Sequence, residues 1–455
     1  MILIKNNIIK VMVGFLILLL VSCSKYLDIQ SNHGLVVPTK LEDLQKLMDD
    51  TGIMNLSYSS FGEASSDDYY LKQSIFDNLI DYAQNTYIWK NYYRNYPNDW
   101  SSGYNAVYNC NLVLDRLKSI SVNSVDESFY NEVKGSALFY RASQYLYLLW
   151  TYAPAFIEGK SKDDLGIVLR NSSDFNEISS RSTVVACYLK IIEDLNACID
   201  LLPEKSAHTL RPNRYAAMGM LARTYLSMHN YDQALLYADK VLKKYPELMD
   251  YNNLSEVNVD ASFPFTIFNK ETVWYGELMS SSNLTSSRAL IDTLLYRSFD
   301  SNDLRKKAFF KVAPDGTATF KGSYSGSAKM FTGIAINEMY LIRAECNLRL
   351  GNREKALDAL NYLMKKRYKT GIFKPYSSID EREVLTIILK ERRRELIFRG
   401  LRWMDLKRLN AEGAEIVIQR NVNGEIQTLL PNSNAYALPL PDDIIRLAGI
   451  EQNPQ

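Results

Sequence analysis

Three stretches of the chain combine flat aromatic rings with short polar side chains. SSDDYYLKQ carries Asp67, Asp68, Tyr69 and Tyr70, and TYIWKNYYRNYPNDW carries Trp89, Asn91, Tyr92 and Arg94. Farther along, Trp274, Tyr275, Tyr296 and Tyr324 lie in a segment without clear periodicity. This mixture suits sugar recognition. A pyranose has apolar C–H faces that aromatic rings cover, and a rim of hydroxyls that Asp, Asn or Arg can hold. Such groups work best on loops over a rigid scaffold. These residues are the candidate ligand contacts. The alternative for each is packing, or contact with a protein partner.

Other chemistry finds no support. The three histidines, His33, His208 and His229, share no metal-ligand spacing. No GxGxxG, Walker, GxSxG or HExxH pattern occurs. The sequence therefore predicts a binding protein and not an enzyme, with no cofactor. A net charge of +1 argues against a polyanionic partner such as nucleic acid. Cys110, Cys187, Cys198 and Cys346 are scattered through helical patterns and read as small buried hydrophobes. The run KERRRELIFRGLRWMDLKR places Arg393, Arg394, Glu395, Arg399, Arg402 and Asp405 at helical spacing. It reads as ion pairing between helices, together with Arg343 and Glu345. Gly400 reads as a turn or a close approach.

The N-terminus carries a different handle. Lys5 and Lys10 precede the apolar run Val11–Ser22, which is short for a membrane span and suited to a signal-peptide core. Leu20-Val21-Ser22-Cys23 resembles the bacterial lipoprotein box. The resemblance implies removal of residues 1–22 and lipid attachment at Cys23, on the sulfur and then on the new amine. Each buried methylene would add about 0.8 kcal/mol of membrane affinity. Residues 23–38 read as the lipidated tether and 39–455 as a single domain.

The elements behind the candidate residues are mostly helical. Thr39 and Glu42 have capping-box spacing ahead of a small helix. Residues 55–82, rich in Ser, Asp, Gly and Tyr, read as irregular surface. Helices are expected over 100–117, over 127–152 with Pro154 ending it, and over 182–202 with Pro203 closing it. Pro212 is placed in the first turn of the next helix, which breaks at 228–230. A second pair follows at a constant offset: Ala222 aligns with Ala344, Leu226 with Leu348, Asn230 with Asn352 and Ala234 with Ala356. Small residues there let antiparallel helices approach, the pattern of a tetratricopeptide-like hairpin. A last helix pair runs through residues 382–410, and a brief hairpin starts at GEIQTLL. The fold class is thus mainly α: a scaffold of tetratricopeptide-like hairpins at 100–249 and 330–420. An inserted irregular lobe with short strands, 250–329, forms the ligand side.

The ordered motifs also carry a family likeness. CSKYLDI, WSSGYNAVYNCNLVLDRL, VKGSALFYRASQYLYLLWTYAPAF, RPNRYAAMGMLARTYL, IAINEMYLIRAECNLRLG, LKERRRELIFRGLRWMDLKR, YALPLPDDII and the final EQNP occur in the expected sequence. Together they resemble the SusD/RagB family of outer-membrane nutrient-binding lipoproteins of Bacteroidetes, although Ala153 stands where a Gly is usual. The resemblance implies a lipid-anchored protein on the exterior of the outer membrane. It would capture glycans for a TonB-dependent, SusC-like transporter, or alternatively bind peptides or proteins. It does not carry individual ligand contacts onto this chain.

Overall fold

In the computed structural model, residues 38, 40–91, 96–121 and 126–454 are described. Cys23, Thr39, Tyr92 and Arg94 therefore lie outside the described residues. Residues 41–455 form one compact unit. Nine helices of ten or more residues are found among the described residues: α1 Asp99–Leu117, α2 Glu127–Tyr152, α3 Val184–Leu201, α4 Arg214–Ser227, α5 Tyr231–Lys244, α6 Ile336–Arg349, α7 Arg353–Lys365, α8 Glu381–Glu395 and α9 Arg402–Ala411.

Helix α2 is the centre. Every residue from Gly135 to Tyr152 is buried, so its apolar periodicity vanishes, as expected of a helix covered on all sides. Arg141 fastens it to both neighbours. Its guanidinium donates to Asp194 of α3 at 2.7 and 2.8 Å and to Asn111 of α1 at 2.8 Å. The ends are set locally. Asn98 and Ser101 form a reciprocal capping box for α1. Leu202 turns extended before Pro203, which cannot continue α3. Pro212 lies outside α4. Asn213 caps that helix by accepting from the Tyr215 and Ala216 amides, so the first turn begins one residue after the cap.

The repeated pairs are real hairpins. α4 with α5 and α6 with α7 start at positions with the same sequence offset, and α5 packs on α6. Ala222, Ala234, Ala344 and Ala356 are fully buried where the helices meet. Arg223 of α4 pairs with Glu338 of α6, Nε to Oε1 at 2.8 Å, with neither side chain exposed.

Ten short strands among the described residues support the rest: β1 Tyr69–Tyr70, β2 Leu165–Val168, β3 Arg181–Thr183, β4 Thr272–Trp274, β5 Leu290–Ile291, β6 Phe310–Val312, β7 Ala318–Phe320, β8 Ile334–Ala335, β9 Ile418–Val422 and β10 Glu425–Leu429. A four-stranded antiparallel sheet has the order β1-β5-β7-β6, joining the 67–70 stretch to the inserted lobe. β4 pairs with β8, so Trp274 lies opposite Ile334 just before α6. β9 and β10 form a hairpin turned by Asn423 and Gly424, both with positive φ. The hairpin therefore starts at Ile418, upstream of its expected position at GEIQTLL, because Asn-Gly is its turn and not its first strand.

Residues 55–66 differ from expectation more sharply. All but Leu56 are buried, Ser57, Ser59, Ser60, Glu63, Ser65 and Ser66 among them. The polar composition is accommodated because α1 and α2 supply partners. Ser59 Oγ donates to Asp99 at 3.1 Å, Gln144 donates to Ser57 Oγ at 3.1 Å, and Tyr58 and Ser143 hydroxyls share a bond of 2.8 Å.

Most of the arginine-rich run ties elements together by ion pairs, as its spacing predicts, but Arg399 does not: it is buried with no salt bridge among the described residues, lies against the Phe331 and Tyr324 rings and donates to the Gly333 carbonyl at 3.4 Å. Arg408 grips Glu345 at 2.6 and 2.8 Å, and Arg392 holds Asp405 at 2.8 Å. Glu395 accepts from Arg305 at 3.1 Å and from Arg367 at 2.9 Å, all three fully buried. Gly400 has φ +72°, and a Cβ there would approach Leu278 and Thr332 to 2.9 Å, so both the turn and the close approach are present. The four cysteines of the described residues are buried and free. Burial pushes the Cys187 thiol up to about 11 and the Cys110 thiol up to about 12, leaving them unreactive at neutral pH.

Candidate functional site

A cleft of about 770 Å³ opens between the 67–71 stretch, α8 and the β9 strand. Its wall begins with β1. Alternation along the strand buries Tyr69 and leaves Tyr70 half-exposed. Tyr69 is held inside, donating to the Ala64 carbonyl at 2.5 Å. Both tyrosines line the cleft, Tyr70 as the half-exposed one.

Asp67 and Asp68 join the site to the arginine run. Asp67 accepts a bidentate pair from Arg402 at 2.6 and 2.8 Å. Arg393 donates to Asp68 Oδ1 at 2.7 Å and to the Asp67 carbonyl at 2.7 Å. Burial alone would raise the Asp67 carboxyl, yet Arg402 and Arg393 beside it hold it well below the usual carboxylate range. Burial raises the Asp68 carboxyl against the pull of Arg393. Behind them, burial and then the neighbouring Asp68 push Glu63 up to about 8. The carboxylates expected to hold sugar hydroxyls are thus mostly occupied by the protein's own guanidinium groups. Of the two, Asp67 alone lines the cleft.

The remaining sequence candidates divide clearly. Trp89 is buried: its indole N–H donates to the Ser65 carbonyl at 2.9 Å, and its ring lies against the Arg420 guanidinium at 4.9 Å. Trp274 is fully buried, donates to the Leu210 carbonyl at 3.1 Å and is ringed by Tyr58, Phe139 and Tyr140. Tyr324 is buried with its hydroxyl on Glu271 at 2.5 Å. Tyr275 is also buried, packed on Phe268 and Phe331, with its hydroxyl on Glu277. These rings are sealed in the interior instead of facing solvent, Trp274 against Phe139 and Tyr140 of α2. Their apolar area is worth more there, about 25 cal/mol per Å² removed from water. Tyr296 is half-buried under the Lys306 ammonium, 4.9 Å from its ring centroid. Asn91 is exposed and does not line the cleft.

Other lining residues come from far along the chain. Lys390 stands on the exposed face of α8, and Leu294 is 73% exposed on the helix after β5. Gln419 and Asn421 alternate with buried Ile418, Arg420 and Val422 on β9. The period-two pattern of IQRNV ahead of Asn-Gly carried this signal in the sequence. The cleft therefore offers one partly open tyrosine, an exposed leucine, an ammonium, the Gln419 amide and the amide nitrogen of Asn421, whose oxygen accepts from the Gly424 N–H at 3.1 Å. It can cover an apolar face and hold polar substituents around it.

The fold is a scaffold of helical hairpins that carries this cleft. A family profile described as "Starch-binding associating with outer membrane" matches residues 25–226, and the SusD family profile matches residues 222–455. The chain belongs to the SusD family. It is similar to SusD-like protein P2 of Formosa agariphila, 25% identical over 78% of this chain and 79% of that protein. Among solved structures, a SusD superfamily protein from Bacteroides thetaiotaomicron superposes with TM-score 0.74 at 21% identity, covering 91% of this chain and all of the other. A protein from Bacteroides vulgatus described as a putative sugar binding protein gives TM-score 0.73 at 22% identity, covering 92% of this chain and 99% of that one. The likeness to solved structures establishes the fold.

Proposed function

We propose that the protein captures glycans at the cell surface and passes them to a TonB-dependent, SusC-like outer-membrane transporter. The observation that carries this reading is the 770 Å³ cleft, with Tyr70 beside Lys390, Gln419 and Asn421, in a chain of the SusD family. Sugar-binding is the family's typical activity, and the cleft's mixture of an aromatic face with neutral and cationic donors suits a hydroxylated ring. Lipidation at Cys23 is the proposed means of attachment. No helix among the described residues is long and apolar enough to cross a membrane.

Affinity electrophoresis tests the ligand. The purified protein is run through native gels containing soluble starch, laminarin, xylan or galactomannan. Retardation in at least one gel, weakened at least about fivefold in affinity by Tyr70→Ala, is expected from the loss of a stacking anchor. Migration unchanged in every gel, with saturable binding of a peptide mixture, overturns the glycan reading. For the anchor, Cys23→Ala should release the protein from the membrane fraction.

A further inference from the structure

A second cleft, of about 380 Å³, lies between α1, the 168–179 segment and the helix Asp442–Ala448. It is built from residues other than those of the 770 Å³ cleft. Its most unusual feature is Phe175. The ring is 78% exposed, yet it is stacked on Tyr108 with centroids 4.7 Å apart and planes 25° from parallel.

The loop that carries Phe175 is held firmly. Arg170 donates to the Glu177 carbonyl at 2.7 Å, to the Asp174 carbonyl and to Ser179 Oγ at 3.4 Å. Asp115 of α1 accepts from both the amide and the hydroxyl of Ser173 at 2.8 Å. Asn111 donates to the carbonyls of Arg170 and Ser172. The ordering cost of this loop is met before any ligand arrives, which is what preorganisation requires. An exposed ring held this way gains little from burial, so its position is not explained by core packing.

The cleft's chemistry narrows the ligand. Among the described residues Arg170 is the only charged one lining it, and that guanidinium is committed to the loop backbone. Among the described residues no free charge there awaits an ionic partner. Ser172 Oγ accepts from the Asp174 amide at 3.0 Å, which leaves its own proton to donate. The Tyr108 hydroxyl makes no hydrogen bond with the described residues. A flat apolar platform edged by neutral hydroxyls, with a volume near the low end of small-molecule sites, about 300–1,000 Å³, complements a neutral pyranose ring.

We propose that the Tyr108–Phe175 platform is a second carbohydrate subsite, taking a neutral sugar ring of the same polysaccharide that occupies the larger cleft. It rests on the carbohydrate reading above and extends it, since two subsites on one chain raise avidity for a polymer without new contacts at either.

The test uses the full mature chain in the native gel, among the four named, that retards it most. Phe175→Ala removes an exposed ring and leaves the core intact, so folding is checked simply by an unchanged circular dichroism melt. The expected result is retention weakened at least about fivefold by Phe175→Ala and abolished when it is combined with Tyr70→Ala. Wild-type retention that survives Phe175→Ala unchanged, while Tyr70→Ala weakens it, overturns the subsite and leaves the larger cleft standing. Phe175→Ala that loses only the binding of an apolar fluorescent probe, with polysaccharide retention intact, also overturns it. No retardation of the wild type in any of the four gels overturns the carbohydrate reading and the subsite together.

Discussion

Two aromatic clusters of this protein use the same residue types in opposite ways. Around Trp274 the rings meet edge to face: Phe139 lies 5.0 Å away at 72° and Tyr58 5.7 Å away at 83°. Every face of the indole is covered, and its N–H has found a backbone carbonyl. At Tyr108 and Phe175 the rings lie nearly parallel and one face remains open. A tilted cluster fills volume in three dimensions, whereas a parallel pair on a surface builds a platform. Composition does not separate the two. What separates them is whether surrounding elements close over the rings, and in the inserted lobe they do.

The contrast can be broken most forcefully at Trp274. Trp274→Ala should cost about 3–5 kcal/mol, the range for a large aromatic lost from a packed core. Urea denaturation measures it, and a loss under about 1 kcal/mol accompanied by weakened polysaccharide binding would return Trp274 to the ligand side. A similar effect is expected at Glu395, which accepts from Arg305, Arg367 and Asn337 in a sealed network. Glu395→Gln keeps the shape and removes the charge, leaving two buried guanidinium groups short of a partner, at about 3–5 kcal/mol. A midpoint unchanged in urea would show that this framework is not what holds the lobe to α8.

Lys407 supplies a pH test of the same sealed interior. Its ammonium donates to the carbonyls of Trp150, at 2.8 Å, and Ala153, and burial pushes it down to about 7. An unfolded lysine titrates near 10.4. Between these values the unfolded chain binds the extra proton, so this group makes stability rise with pH from about 7 to about 10.4. Lys407→Met should remove that contribution, at most about 1.4 kcal/mol per pH unit, from the difference between variant and wild type. Parallel stability curves over that window would refute the burial of this charge. The smallest stability effects belong to the open surfaces. Phe175→Ala should change stability by under about 0.5 kcal/mol, as an exposed side chain does. A larger loss in thermal denaturation would mean that the platform is structural.

Much of the scaffold is readable in the sequence alone. α1 and α2 lie where periodicity and Pro154 put them, and both hairpins keep the offset that aligns Ala222 with Ala344. The ion-pairing role of most of the arginine run also followed from its spacing, whereas Arg399 packs on aromatic rings instead. The 55–66 segment escaped because hydroxyl-rich sequence ordinarily marks surface. Only the partners on α1 and α2 make its burial affordable. The candidate site was legible in part. Tyr70 and Asp67 do line the larger cleft, but Lys390, Gln419 and Asn421 reach it from more than 300 residues away.

The sequence by itself determined the helical hairpins, the chain's family and the kinds of groups available for recognition. Local periodicity, caps and proline stops act within a few residues, and ordered motifs survive in linear form. Tertiary structure decided which aromatics are sealed and which are open, and which carboxylates remain free. Those outcomes depend on which distant elements fold over a ring or bring an arginine to an aspartate. Asp67 illustrates the difference: its sequence neighbours offer it to a sugar, and Arg402, 335 residues away, takes it.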